Sequence, residues 1–336
     1  MPEGHSVHRL ARQFGDVFVG AQLAVTSPQG RFVHGAALLD GHVLTGSTAH
    51  GKHLFLEFAH GLLLHVHLGL YGAWNFGGDA GFRGASSIGA PRKVGEREVY
   101  DGDGGGSGAD RDAASGSGPD GYAGPPPPVG AVRVRLASGH GWADLRGATT
   151  CAAVTGAEAA AVVARLGPDP LRNLPGDRDA FVARVRTRQT PLAALLMDQK
   201  LVAGIGNVYR AELLFRQRLD PWLPGTALPA KAARLLWDDA VAIMSDGVRD
   251  GRIITTPPRY WSGPDGGQRG GGQSGGGGSA SGRLGGGGSA IMLPVPDESH
   301  FVYRRQGQDC RDCGTAVALT DLGARKLYWC PSCQAP

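Results

Sequence analysis

The sequence predicts an α+β multidomain fold, and three observations predict it. Short apolar runs separated by glycine turns fill residues 17–76 and return at 131–145, which is the pattern of an antiparallel sheet. Helical periodicity marks residues 4–14 and several segments between 157 and 248. Four of the five cysteines form two Cys-x2-Cys pairs near the end of the chain, Cys310/Cys313 and Cys330/Cys333.

Taken in order, Val7, Leu10, Ala11 and Phe14 share one helical face, so a helix starts directly behind Pro2 and Glu3 and aims the N-terminus. Strands are expected at Val17–Val25, Ala37–Leu44, His53–Phe58 and Leu62–Leu68, with turns at Asp40-Gly41 and His60-Gly61. Two more are expected at Ala131–Leu136 and Gly141–Leu145. The middle of the chain is helical: Ala157–Leu166, stopped by Gly167-Pro168, then Asp177–Arg188. Thr190-Pro191 reads as a cap and first-turn proline for Leu192–Gln199. Helices at Val208–Arg218 and Ala230–Val248 follow the sharp Gly204-Ile205-Gly206-Asn207 turn. Val317–Leu319 and Lys326–Trp329 read as a hairpin between the cysteine pairs.

A chain of 336 residues accommodates two or three domains, and 41% hydrophobic content supports packed cores. The expected divisions are 1–150, 151–262 and 290–336, with a Gly-rich linker at 263–289 and a disordered insertion at 101–128. The net charge of +4 is mild, but Arg184, Arg186 and Arg188 cluster, as do Arg304, Arg305, Arg325 and Lys326, which favours an anionic partner. The opening residues lack the apolar run of a leader, and no stretch approaches the ~20 residues of a membrane span. A reducing cytoplasm is therefore expected, and Cys151 reads as a small buried hydrophobe.

The cysteine spacing, with 16 residues between the pairs, reads as a closed four-thiolate Zn²⁺ site and not as two disulfides. Such a site is a scaffold, because it leaves no open position for catalysis. Removal of Met1 would expose Pro2 as a secondary amine with a pKa near ~8, beside the Glu3 carboxylate. An amine of this kind can attack a sugar C1′ and form an iminium that acidifies C2′, with Glu3 moving protons. The plain alternative is a permissive Pro-Glu start. Lys52, at the tip of His50-Gly51-Lys52-His53, can reach a phosphate or protonate a leaving group, or can be a solvated turn lysine. The 204–207 turn offers amides at a helix start, and Asn207 a side-chain donor, to a phosphate. Leu70-Tyr71 is core or a wedge that fills the gap left by a flipped base. His65 and His67 share a strand face without a third ligand nearby, which favours a structural role.

Together these residues resemble the formamidopyrimidine-DNA glycosylase / endonuclease VIII family. The resemblance rests on Met1-Pro2-Glu3-Gly4, on Leu166-Gly167-Pro168-Asp169-Pro170-Leu171, on the run from Asp198 to Glu212, and on the finger ending Cys330-Pro331-Ser332-Cys333-Gln334. It implies an N-terminal β-sandwich, a helix–two-turn–helix domain and a C-terminal zinc-finger hairpin. It implies a bifunctional glycosylase and abasic-site lyase acting on damaged double-stranded DNA as a monomer. Pro2 would be the Schiff-base nucleophile, Glu3 the acid/base and Lys52 the essential turn lysine. Asn207 and Arg325 would contact phosphates, and Leu70 and Tyr71 the duplex. Leu70-Tyr71-Gly72 looks like the endonuclease VIII branch, whose usual targets are oxidised pyrimidines. The purine-specific branch often carries Asp-Pro-Arg-Arg-Phe where this chain has Asp144-Leu145-Arg146-Gly147. A damage binder that has lost catalysis, or a zinc-ribbon RNA binder, would be the competing readings.

Overall fold

The computed structural model describes residues 2–90, 117–118, 121–122, 124–262 and 294–335. Helix α1 spans Gly4–Phe18, longer than periodicity over 4–14 suggests, because Phe14 and Phe18, one turn apart, are both fully buried in one core. Gly20, at φ +90°, then turns the chain, so the strand expected from Val17 begins later as β1 (Gln22–Thr26). The strand expected at Ala37–Leu44 is two elements. Helix α2 (Val33–Leu39) buries Ala36 and Leu39, three residues apart, and β2 (His42–His50) follows.

The remaining strands are β3 (His53–Phe58), β4 (Leu62–His67), β5 (Ala73–Gly78), β6 (Ser87–Gly89), β7 (Ser117–Gly118), β8 (Gly121–Tyr122), β9 (Val132–Ala137), β10 (Gly141–Arg146) and β11 (Thr150–Thr155). Nine of these eleven strands, β1 and β2 included, form one antiparallel sheet in the order β11-β4-β3-β2-β1-β9-β10-β5-β6, and β7 pairs with β8 alone. The two halves of the sheet share one core. Leu54, Leu56, Leu64 and Val66 from one half meet Trp74, Phe76, Leu136 and Leu145 from the other, with Leu10 and Phe14 of α1 packed among them. This is the β-sandwich. The sequence reading passed over β5 because all six of its residues are buried, so nothing alternates. Pairing of β11 with β4 carries the sheet past residue 150 to Thr155.

Beyond it lie α3 (Gly156–Val163), α4 (Asp177–Arg186), α5 (Leu192–Leu195), α6 (Asn207–Arg216) and α7 (Ala230–Asp250). A capping box between Thr155 and Glu158 starts α3. Helix α5 stops short of the expected Gln199, and Pro191 stands at its N-cap where Thr190 was expected. At the stop the ladder tightens, the Met197 and Asp198 amides bonding the Ala194 and Leu195 carbonyls three residues back at 3.1 Å. Beyond it the Gln199 carbonyl accepts the Gly167 amide at 2.8 Å and its side chain accepts the Gly204 amide at 3.0 Å. Those bonds shape the two turns that lead into α6. Phe181, Leu213, Leu236 and Trp237 form the helical core, and Leu327 of the C-terminal hairpin β12 (Ala318–Leu322)–β13 (Arg325–Trp329) joins it.

The expected linker 263–289 lies outside the described residues, as does most of the insertion at 101–128. The proline run that ends that insertion is held in place, since Arg135 donates to the Pro126 carbonyl at 2.7 Å. Among the described residues no helix is long and apolar enough to cross a membrane.

Candidate active site

Three chain segments meet at the N-terminal end of α6. The first is the start of α1, where Pro2 and Glu3 are both buried. Glu3 does not face solvent: its Oε1 accepts the Val208 amide at 2.8 Å, and its Oε2 accepts those of Gly206 at 2.9 Å and Tyr209 at 3.3 Å. A carboxylate at a helix N-terminus satisfies orphan amides and complements the helix dipole. The fit admits no side chain at residue 206, where an added Cβ would lie 2.4 Å from Glu3 Cδ. Complete burial raises the Glu3 pKa, against the pull of Lys52 and the three amides.

The second segment is the two-residue turn between β2 and β3, closed by the His50–His53 pair. Gly51 takes φ +57°, and an added Cβ there would lie 2.8 Å from Ala203 Cβ, so the turn sits directly against the helical side. Lys52 donates its Nζ to the Ile205 carbonyl at 2.7 Å. Burial pulls its pKa down to about 8, with Glu3 opposing and Arg325 adding to the shift. The ammonium therefore titrates near neutrality, which suits proton transfer.

The third segment is the β12–β13 hairpin. Asn207 Nδ2 donates to the Lys326 carbonyl at 3.0 Å, Arg210 donates to the same oxygen at 2.9 Å, and Arg210 also donates to Asn207 Oδ1. Arg325 opens β13 within Coulombic reach of Lys52 and Arg210. At the other end of the hairpin, the Sγ atoms of Cys310, Cys313, Cys330 and Cys333 all lie within 4.8 Å of one another. Two of the separations are 3.8 Å and 3.4 Å. Zn–S bonds of about 2.3 Å in a tetrahedron put the sulfurs ~3.8 Å apart, so the set fits a metal of that kind. It is the one group of three or more potential metal ligands found among the described residues.

Pro2, Glu3, Lys52, Asn207 and Arg325 are thus brought to one place. Leu70 and Tyr71 lie on the separate β4–β5 loop, 41% and 80% exposed, free to enter a partner and not part of the core. The amides of Gly206, Val208 and Tyr209 at the helix start that the sequence offers to a phosphate are instead taken by Glu3. His65 and His67 gain a third imidazole from β3: His53 Nδ1 lies 2.9 Å from His65 Nε2 and its ring 4.8 Å from that of His67. Burial lowers all three, His53 to a pKa of about 3 and His65 to about 4, and the ring of His53 stacks on that of His65 while His67 is tilted against it.

Three contributors escaped the sequence reading. Arg210 is buried under the hairpin. Glu212 accepts the amides of Phe301, Val302 and Tyr303, fixing Tyr303 where its hydroxyl feels the charge of Glu3. Asp169 is fully buried and bonds the Gly51 amide. All three lie inside the quoted motifs, so a signal existed, but side chains committed to backbone partners show no pattern of their own.

Residues 1–100 match the N-terminal domain of formamidopyrimidine-DNA glycosylase, and residues 166–258 match its H2TH domain. Endonuclease 8 1 of Mycobacterium tuberculosis is 37% identical over 337 residues, covering 99% of this chain and 100% of that protein. The probable endonuclease 8 2 of Streptomyces coelicolor is 29% identical over 343 residues, covering 100% and 94%. A solved complex of Lactococcus lactis Fpg with abasic-site DNA has the same fold, with a TM-score of 0.66 at 16% identity over 99% of this chain and 100% of that one. Fold and comparisons together define a DNA glycosylase with abasic-site lyase activity, an enzyme of base excision repair. The chain belongs to the formamidopyrimidine-DNA glycosylase family, and its full-length relatives include endonucleases 8.

Proposed function

We propose that the chain excises oxidised pyrimidines from duplex DNA through a Schiff base on Pro2 and then cuts the strand by β- and δ-elimination. The observation that carries the proposal is the convergence of Pro2 and Glu3 with Lys52 at the start of α6. With Met1 removed, the Pro2 nitrogen attacks C1′ of a flipped nucleotide as the C1′–N bond to the base breaks and the base leaves with a proton. The amine gives up its own proton, and the C1′–O4′ bond then opens with O4′ taking a proton, which leaves the C1′=N⁺ iminium. The resulting iminium draws electrons from C2′, which loses a proton as the 3′ phosphate departs. A second elimination releases the 5′ phosphate, and water frees Pro2. Glu3, with its raised pKa, supplies and recovers protons at the ring-opened sugar. Lys52 assists departure of the base.

Asn207 and Arg325 take the phosphates flanking the lesion, while Leu70 and Tyr71 fill the gap in the stack. Sequence relatives that match over the full length include endonucleases 8, which favours the pyrimidine-directed reading. Cys310, Cys313, Cys330 and Cys333 hold one structural Zn²⁺, which supplies no chemistry and keeps the hairpin folded. The enzyme works as a monomer in the bacterial cytoplasm. Its parts are a sandwich domain (1–155, with β11 as its edge strand), a helix–two-turn–helix domain (156–262), a linker (263–289) and the finger (290–336).

Borohydride trapping on a duplex with one abasic site tests the central step. The wild-type protein with Met1 removed gives a covalent adduct, and Pro2→Gly or an uncleaved N-terminal tag abolishes it. Specific binding without an adduct from confirmed free Pro2 would replace the enzyme reading by that of a non-catalytic damage binder.

A further inference from the structure

Asp169 lies between the sandwich and the helices, in the segment that leads from α3 to α4, and is fully buried. Its Oδ2 accepts the Gly51 amide at 2.7 Å and His8 Nε2 at 2.7 Å, and its Oδ1 accepts the Leu171 amide at 2.9 Å. Each bond ties a different part. Gly51 precedes Lys52 in the β2–β3 turn, His8 belongs to the helix that begins behind Pro2 and Glu3, and Leu171 fixes the carboxylate to its own segment. A second clasp lies beside the first: His50 Nε2 donates to the Gly167 carbonyl at 2.9 Å, and Arg172 donates to His50 Nδ1 at 3.3 Å.

We infer that Asp169 is the positioning residue for Lys52, fixing its turn against the helix that carries Pro2 and Glu3. The inference rests on the proposed role of Lys52. A lysine on a four-carbon stem is only as well placed as its backbone, and the Gly51 peptide is the last rigid unit before it. Gly51 is pressed against Ala203 and Gly204, so the turn has one seat, and the Asp169 bond selects it. Burial works against ionised Asp169, yet the bonds from His8, Gly51 and Leu171 outweigh it and keep its pKa below the ordinary value. One oxygen of the carboxylate thus accepts from both partners. It reaches no substrate itself, because its oxygens are already engaged within the fold.

The test is single-turnover base excision and cleavage of a duplex containing one oxidised pyrimidine, thymine glycol, with Asp169→Ala, Asp169→Asn and His8→Gln compared singly and in a Lys52→Ala background. Asp169→Ala is expected to slow cleavage about 10- to 100-fold, as displacement of a reacting group by roughly 1 Å does. Duplex affinity should stay within about threefold, and Asp169→Asn, which keeps one acceptor oxygen, should recover most of the rate. In the Lys52→Ala background, loss of Asp169 should cost less than about threefold, since a residue acting through Lys52 has nothing left to position. An equal loss in both backgrounds would make Asp169 a plain structural strut, and a wild-type rate in Asp169→Ala would overturn the inference outright. A wild-type rate in Lys52→Ala alone would instead remove the role of Lys52, and with it the basis of the inference. If Asp169→Ala does not fold, Asp169→Asn and His8→Gln carry the same comparison.

Discussion

Glu3 accepts the Val208 amide at 2.8 Å across 205 residues of sequence. One carboxylate joins the start of the sandwich domain to the start of the helix that the hairpin rests on, and it sits next to the amine proposed to do the chemistry. Stability and catalysis therefore share a residue.

Glu3→Ala should consequently lose both. It leaves the buried amides of Gly206, Val208 and Tyr209 without their acceptor, and each such group costs about 1–3 kcal/mol. A fall of at least ~2 kcal/mol in urea unfolding is expected, together with loss of base excision. Glu3→Gln, which keeps an oxygen for one or two of the amides, should recover much of the stability but not the excision. Unchanged stability in Glu3→Ala would mean that α6 does not depend on this cap.

Lys52 makes a pH prediction. Its folded pKa is about 8 against an ordinary value of 10.5, so between those values the unfolded chain binds more protons than the folded one. Stability contributed at this site therefore rises as pH climbs from about 8 to 10.5. Denaturant unfolding across that window should show a positive slope that Lys52→Met removes. Base excision should fall as the ammonium is lost above about pH 8, and Lys52→Arg should push that alkaline limb upward.

Tyr71 separates recognition from folding. At 80% exposure its truncation should change stability by less than about 0.5 kcal/mol. Tyr71→Ala should nonetheless reduce kcat/KM for a base lesion about tenfold, the loss of one stacking contact. Cleavage at a pre-formed abasic site, where no base need be held out, should suffer less. Equal losses on the two substrates would argue against a wedge.

Removal of the metal should act through the hairpin. Leu327 packs in the helical core, and the Lys326 carbonyl holds both Asn207 and Arg210, so an unfolded finger releases all of them. Cys330→Ser, or prolonged exposure to a strong chelator, should lower Tm and abolish duplex binding while the sandwich stays folded. Metal analysis of active protein should return one Zn²⁺ per chain.

Much of this was legible in advance where a local rule operates. The i to i+4 spacing of α1, the two-residue turn at Gly51-Lys52 and the paired cysteines each report a structure formed by near neighbours. Reading failed where the environment overrode the local pattern. Six consecutive buried residues hide β5, and the segment after α5 is shaped by Gln199 bonding Gly167 and Gly204, partners that propensity does not see.

The chemistry-bearing residues follow the same division. Which groups are present, an N-terminal Pro-Glu, a turn lysine and four thiolates, was determined by the sequence alone, since residue identity and spacing are local facts. That Glu3 fills the helix start offered to a phosphate, that Asp169 holds the lysine turn, and that burial brings Lys52 near neutrality were decided only by the tertiary structure. Each depends on desolvation and on partners more than a hundred residues away, and those quantities exist only once the chain has closed on itself.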